Sequence, residues 1–350
     1  MRYHCLSMKC AFVTGAGGFI GGYVVREFAA RGWRVLAGVH KSVPDTLLGL
    51  TQERAVSIVR TDVTDRRSLA ALARVGPIDA IVHCAGRASD VGRRSEFRRL
   101  NYESVQNLGQ LALERGVSRL VFVSTTDVYG LRDFNGEAED ELPLRAFPRN
   151  PYPEFKIRAE QWLREALPAE RHVIIRPAQV WGAGDTTLTP RIVGFLRKSP
   201  WIVHFGKWRG ANRWPLAHVR NVAAACCLAA TDPAVAGQAI NVLDDERTSM
   251  DEWYRLVADL YLPGRAFRRL VLPMAAGRLL GGIVSGISNT LNLAHPFADP
   301  SFYAVFAVSS NLDFSSERYC AMLARAGARR VSREDGLAEL RKAARQQFRR

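Results

Sequence analysis

With 350 residues, the chain is long enough for one large domain or two intimately joined ones. Its 47% hydrophobic and 24% charged residues exclude a collagen-like, disordered or multi-span membrane protein. Lys plus Arg number 49 against 34 Asp plus Glu, a net charge of +15 that speaks to solubility and anionic partners but not to fold.

The first half alternates short β-rich runs with helical stretches. Residues 9–14 (KCAFVT) predict a buried strand, 18–31 a helix, 33–40 a second strand and 57–60 a third. Residues 78–84 and 120–124 predict further apolar strands, separated by a helix over about 97–115 that Gly116 stops. A helix over 152–166, ended by Pro168, leads to a strand at 173–176. This is the pattern of βαβ units, and it predicts an α/β protein with a doubly wound parallel sheet. After Pro177 the texture changes to loops, tryptophans and basic residues. A return to sheet-like sequence at 239–243 implies that the chain crosses back to the first domain before its C-terminal helices.

The charge is unevenly placed. No acid lies between Asp185 and Asp232, where Arg191, Arg197, Lys198, Lys207, Arg209, Arg213 and Arg220 stand, and none lies over 260–298, which holds Arg265, Arg268, Arg269 and Arg278. The six cysteines show neither a CxxC pair nor a metal-binding spacing, so no metal site is expected and a reducing cytoplasm is the simpler home. Residues 1–7 have no apolar run behind a basic start, so no secretory signal is expected, and Met8 stands nearer a natural start. The apolar stretch 270–287 holds Pro273, Arg278 and four glycines, which favours a buried or membrane-surface element over a span.

Gly15, Gly18 and Gly21, with Phe19 and Ile20 between the last two, follow a predicted strand and open a predicted helix, where backbone can approach a pyrophosphate at a helix N-terminus. A glycine-rich turn alone is weak evidence, an ordinary βα turn being the alternative, and its place between strand and helix strengthens it. A dinucleotide fold that prefers NAD usually ends its second strand in Asp or Glu. Here that strand ends at His40 and Lys41, which offer positive charge to a 2′-phosphate, so NADP(H) is expected over NAD(H), with Lys41 as a plain solvated lysine the alternative. Tyr152 and Lys156, four apart on one helix, share a face, and a nearby ammonium favours the phenolate. Upstream, residues 121–125 form a strand ending in hydroxyls suited to orient a substrate oxygen. His83 reads as a packed or cofactor-adjacent histidine, and Cys226 and Cys227 as core residues of an Ala-rich helix.

From about residue 9 to about 339 the chain resembles the extended short-chain dehydrogenase/reductases. The motifs are TGAGGFIG at 14–21, Asp62-Val63, VHCAG at 82–86, Asn101, STTDVYG at 124–130, YPEFK at 152–156 and RPAQVWGAGD at 176–185. The resemblance implies a Rossmann domain over 8–182, rejoined by about 216–243, and a smaller substrate domain from 183–215 and 244–350. It implies that Asp62 and Val63 contact the adenine, that Ala85 and Gly86 line the diphosphate–ribose path with Asn101 also on the cofactor side, and that Pro177 sits by the nicotinamide. It makes Thr125, Tyr152 and Lys156 the catalytic triad, Lys156 also holding the nicotinamide ribose. Residues 216–223 (LAHVRNVA) are more similar to the branch of 3β-hydroxysteroid dehydrogenases and sterol or long-chain ketone reductases. Phe155 departs from the small residue often found before the lysine.

The expected function is an NADP(H)-dependent oxidoreductase interconverting a secondary alcohol and a ketone on a sterol-like or long-chain substrate. Two rivals stand beside it: a sugar-nucleotide epimerase, dehydratase or reductase, favoured by the basic stretch 191–220 because a diphosphate needs cations, and a noncatalytic NAD(P)-binding regulator. The expected partner is a small-molecule substrate and not nucleic acid. Peripheral membrane contact and a homodimer stay open.

Overall fold

A computed structural model describes residues 8–52, 55–148, 150–291, 293 and 300–347. The seven N-terminal residues, including the segment read for a signal, lie outside the described residues, as do the last three.

Five short apolar runs build the strands β1 (Cys10–Thr14), β2 (Arg34–Val39), β3 (Val56–Arg60), β4 (Ala80–His83) and β5 (Arg119–Val123), and β6 (His172–Pro177) follows the helix Pro151–Ala166. Farther on lie β7 (Gln179–Trp181), β8 (Trp201–Phe205), β9 (Leu216–His218), β10 (Ala239–Val242) and β11 (Arg268–Leu272). Seven of these form one parallel sheet in the order β10-β6-β5-β4-β1-β2-β3. β1, β5 and β6 are buried along their whole length, as expected of strands covered on both faces. Alternate residues feed two cores. Ala11, Val13, Val35 and Val121 face the helices Phe19–Ala30 and Val219–Ala229, while Phe12, Leu36, Ile81 and Phe122 face Ser104–Glu114 and Pro151–Ala166. Cys226 and Cys227 are buried in the first of these cores, and their thiols are pushed up by burial.

The chain winds outward from β1 through β2 to β3, then crosses to β4 on the other side of β1. This reversal opens a crevice beyond the C-terminal ends of β1 and β4, where such sheets bind ligands. The sheet-like segment at 239–243 enters the sheet as β10, as its sequence predicts.

Two sequence expectations need correction. The stretch after Pro177 is not mainly loop: it carries the helix Leu188–Lys198 and β8, paired in parallel with β11. The helix buries Ile192, Val193 and Leu196, but Thr, Pro and basic residues at its ends hide that spacing. The helix expected over 97–115 is broken, running as Arg94–Arg98, a wide π turn over Arg99–Glu103, and Ser104–Glu114. The apolar stretch 270–287 is likewise divided, between β11 and the helix Met274–Thr290. Among the described residues no helix is long and apolar enough to cross a membrane.

Candidate active site

The glycine loop leaves β1 through Gly15, which takes φ of 65°. A Cβ there would stand 2.8 Å from the Ala85 nitrogen, so the loop packs directly on the segment after β4. A Cβ on Gly21 would fall 2.1 Å from the Gly15 oxygen. These contacts admit no side chain, and they keep backbone at the crevice. The helix beginning at Phe19 has Gly18 as its N-cap and no side-chain cap, so its first amides remain for an anion. Phe19 lies edge-on to Tyr23, whose hydroxyl donates to the Ala183 carbonyl and ties the helix to the loop after β7.

At the neighbouring strand ends, His40 and Lys41 are exposed just past β2. The Arg60 guanidinium, on β3, donates to the Lys41 carbonyl at 3.0 Å, adding a cation that the sequence reading missed. Asp62 lies 3.5 Å from the His40 ring. Burial opposes its charge, but the Thr64 amide and hydroxyl donate to it at 2.9 and 2.8 Å, and with His40 they hold the carboxyl below its ordinary range. Val63 is buried, and its carbonyl accepts from Asn107.

Between β4 and the lysine, His83 is fully buried, bonded to Thr14 Oγ1 at 2.7 Å and to Ser104 Oγ at 3.1 Å. Burial, then the Lys156 charge, press it down to about 3, so it stays neutral and packed. Asn101, on the π turn, accepts from the Arg87 amide and donates to the Arg87 carbonyl. It thereby fixes Gly86, where a Cβ would lie 2.7 Å from Asn101 Oδ1 and 3.6 Å from Lys156 Nζ.

The helix Pro151–Ala166 is capped by Asn150, whose side chain accepts from the Tyr152 amide. Its inward face presents Tyr152 and Lys156 together, with Nζ 6.0 Å from the phenol ring centre. Lys156 is buried; Nζ donates to the Val123 carbonyl at 2.7 Å and lies over Phe122. Burial brings it down to about 8. Thr125, at the end of β5, hydrogen-bonds the Tyr152 phenol and accepts from the Asp127 amide. Burial and then the Asp127 charge raise the phenol above its ordinary value, against the Thr125 bond. Asp127 accepts from the Tyr303 hydroxyl at 2.5 Å, and burial pushes its carboxyl up to about 6.

Tyr303 and Gln179, the latter two residues past Pro177, open onto a cavity of about 310 Å³. Its walls are mainly apolar: Leu188, Ile192 and Phe195 from one helix, Val203 and Phe205 from β8, and Ala304, Ala307 and Val308 among the rest.

Comparison with known proteins decides what this arrangement belongs to. Residues 11–242 match the family model described as the NAD dependent epimerase/dehydratase family. The chain belongs to this family. Within it, the chain is 30% identical over 251 residues to a 2-alkyl-3-oxoalkanoate reductase of Stenotrophomonas maltophilia, covering 69% of this chain and 72% of that protein. It is 28% identical over 247 residues to the decarboxylating sterol-4-alpha-carboxylate 3-dehydrogenase of Bos taurus, covering 68% of this chain and 65% of that enzyme, just under two thirds. The fold matches that of Thermus thermophilus UDP-glucose 4-epimerase, solved with NAD, at a TM-score of 0.69 and 20% identity, over 96% of this chain and 99% of that one. The protein is thus an NAD(P)-dependent enzyme of the short-chain dehydrogenase/reductase type with an extended C-terminal region.

In this epimerase/dehydratase family chain, a buried network that no local motif signals lies beneath Tyr152 and Lys156. Glu160, fully buried, accepts from Ser124 at 2.5 Å and from Arg176 through two nitrogens. Arg176 also donates to the Tyr129 hydroxyl, which donates to Asn241. The network ties β5, β6 and β10 to the helix of Tyr152 and Lys156. The spacing 152, 156, 160 on one face was the available signal. Asp185 was likewise read only within a motif; its carboxylate caps the helix Leu188–Lys198. Phe155 turns into a packed site under Arg94 and Arg158, so its bulk is absorbed.

The basic stretch does not converge on the cavity. Among the described residues, Arg191 is the one of its seven cations on the cavity wall, and Asp90 holds it at 3.0 and 3.2 Å. Lys207 pairs with Asp133 and Arg220 with Glu339, while Arg197, Lys198 and Arg209 are exposed. Of the tryptophans, Trp214 lines the cavity and Trp208 donates to Asp133.

Proposed function

We propose that this enzyme is an NADP(H)-dependent oxidoreductase interconverting a secondary alcohol and a ketone on an extended, largely apolar substrate. Residues 8–182 and 216–243 hold the cofactor, and 183–215 and 244–350 hold the substrate. The observation that carries the reading is the apolar cavity opening at Tyr303, one hydrogen bond from Asp127 and so beside Tyr152. The two relatives support it, since the name of one specifies an oxoalkanoate and that of the other a sterol carboxylate.

The cradle fits a dinucleotide: Gly15, Gly18 and Gly21 keep the loop free of side chains, and the uncapped first amides of the helix that Phe19 and Ile20 open would meet a diphosphate. Asp62 and Val63 would flank the adenine, Ala85 and Gly86, held by Asn101, would line the ribose path, and Pro177 would sit by the nicotinamide. His40, Lys41 and Arg60 would offer positive charge to a 2′-phosphate. When bound, the nicotinamide supplies or takes the hydride. Tyr152, protonated at neutral pH, gives its proton to a ketone oxygen. Thr125 orients that oxygen, and Lys156 stabilises the phenolate left behind.

A turnover screen with NADPH tests the reading against long-chain β-keto acids, sterol ketones and nucleotide sugars. The expected result is turnover of an apolar ketone and none of the sugars; turnover of a nucleotide sugar alone overturns it. For the cofactor preference, Lys41→Ala is expected to weaken NADPH binding about tenfold while leaving NADH within about twofold, the loss of one charge-assisted contact. Equal losses would refute a 2′-phosphate contact.

A further inference from the structure

The helix Met274–Thr290 and its cap present an apolar face to the surface. Eight large apolar side chains are exposed among the described residues, and five of them are here: Leu279, Leu280, Ile283, Ile287 and Leu291. Leu279 is 67% exposed and Leu291 63%. Residues 279, 283, 287 and 291 recur every four positions and so share one side of the helix. Such a cluster differs from the scattered exposed leucines of an ordinary surface. At 17 residues, the helix is too short and too glycine-rich to span a bilayer.

Its surroundings say what covers it. The segment 260–298 has no acid. Arg265, Arg268 and Arg269 are exposed on and before β11, which feeds directly into the helix through Pro273, and Arg278 is exposed in its second turn. No salt bridge engages Arg268, Arg269 or Arg278 among the described residues; Arg268 lies over Trp201 and Arg278 over Phe306. Leu280 belongs to both settings, being on the exposed face and on the wall of the apolar cavity.

We propose that this face docks on an anionic lipid bilayer, with Leu279, Ile283 and Ile287 entering the interface, Arg268 and Arg269 meeting lipid phosphates, and the cavity filling from the bilayer past Leu280. An apolar stripe beside unneutralised cations is the composition that binds such a surface. The substrate route rests on reading the cavity as the substrate site; the docking does not.

The test is sedimentation of the full chain with vesicles of phosphatidylcholine, alone and mixed with phosphatidylserine, alongside its oligomeric state in solution. The expected result is about tenfold more protein on the anionic vesicles, falling as salt rises. Leu279→Ser with Ile283→Ser should abolish binding, and Arg268→Glu with Arg269→Glu should remove the preference for anionic lipid. Both variants should keep NADPH binding and turnover of a short, water-soluble ketone, which shows that they fold. Wild-type protein that ignores anionic vesicles, or a serine variant that sediments like wild type, overturns the proposal. So does a wild-type dimer that the serine variant dissolves, which would put a second copy on this face. Anionic vesicle binding by a chain that reduces no ketone supports the docking surface while breaking the activity reading.

Discussion

The two sides of the candidate site are built on opposite terms. Beneath Tyr152 and Lys156, the polar groups are buried and partnered: Ser124, Glu160, Arg176, Tyr129 and Asn241 form a continuous bonded chain. Beyond Tyr303 the walls are apolar and offer few directional contacts. A bonded network fixes atoms to within a fraction of an ångström, which proton transfer requires. An apolar cavity fixes only volume and shape, so it distinguishes substrates by length more than by functional group. On the proposed function, chemistry is set on one side and substrate range on the other, and substitutions should separate them.

The largest effect belongs to the polar side. Tyr152→Phe should lower turnover about a thousandfold, the span of a lost general acid, while the NADPH dissociation constant stays within about threefold. Fluorescence titration beside steady-state kinetics checks both, and turnover near wild type would remove the phenol from the mechanism. Next is the network itself. Glu160→Gln leaves the buried Arg176 charge without its carboxylate and should cost about 3 kcal/mol of stability in urea unfolding, the usual result of breaking a buried pair from one side. A loss under about 1 kcal/mol would mean that the network relaxes freely. On the apolar side, Ala304→Leu narrows the cavity and should raise KM for a long-chain ketone about tenfold, with kcat on a short ketone within about twofold. Equal changes with both ketones would place the effect in the chemistry instead.

The same division governs how much was legible from sequence. Gly15, Gly18 and Gly21, and Tyr152 with Lys156, are local patterns whose geometry follows from a turn or a helix repeat, and the structure places them as their spacing predicts. Glu160 lay one turn beyond Lys156, but a carboxylate on a helix means little until Arg176, sixteen residues on, is brought beneath it by β6. Asp90 and Arg191 are separated by 101 residues, so the basic stretch looked free to meet a diphosphate when its cavity-lining member was already held. The cavity has no sequence signature at all. It arises where the helices Leu188–Lys198, Met250–Tyr261 and Phe302–Ser309 meet β8 and β11, and only tertiary packing brings them together.

Asp127 joins the two sides, and its effect should be the smallest and the most diagnostic. Its carboxylate accepts from Tyr303 on the cavity side and raises Tyr152 on the catalytic side. Burial has pushed it up to about 6, so above about pH 6 it is charged and disfavours the phenolate. Asparagine can still accept from Tyr303 but carries no charge. In Asp127→Asn the phenol should therefore lose its proton more readily, and the alkaline fall of kcat/KM for ketone reduction should move to lower pH by about half a unit, the scale of one partly screened charge. A profile that keeps its alkaline fall in place would show that Asp127 does no more than hold Tyr303, and would uncouple the cavity from the phenol.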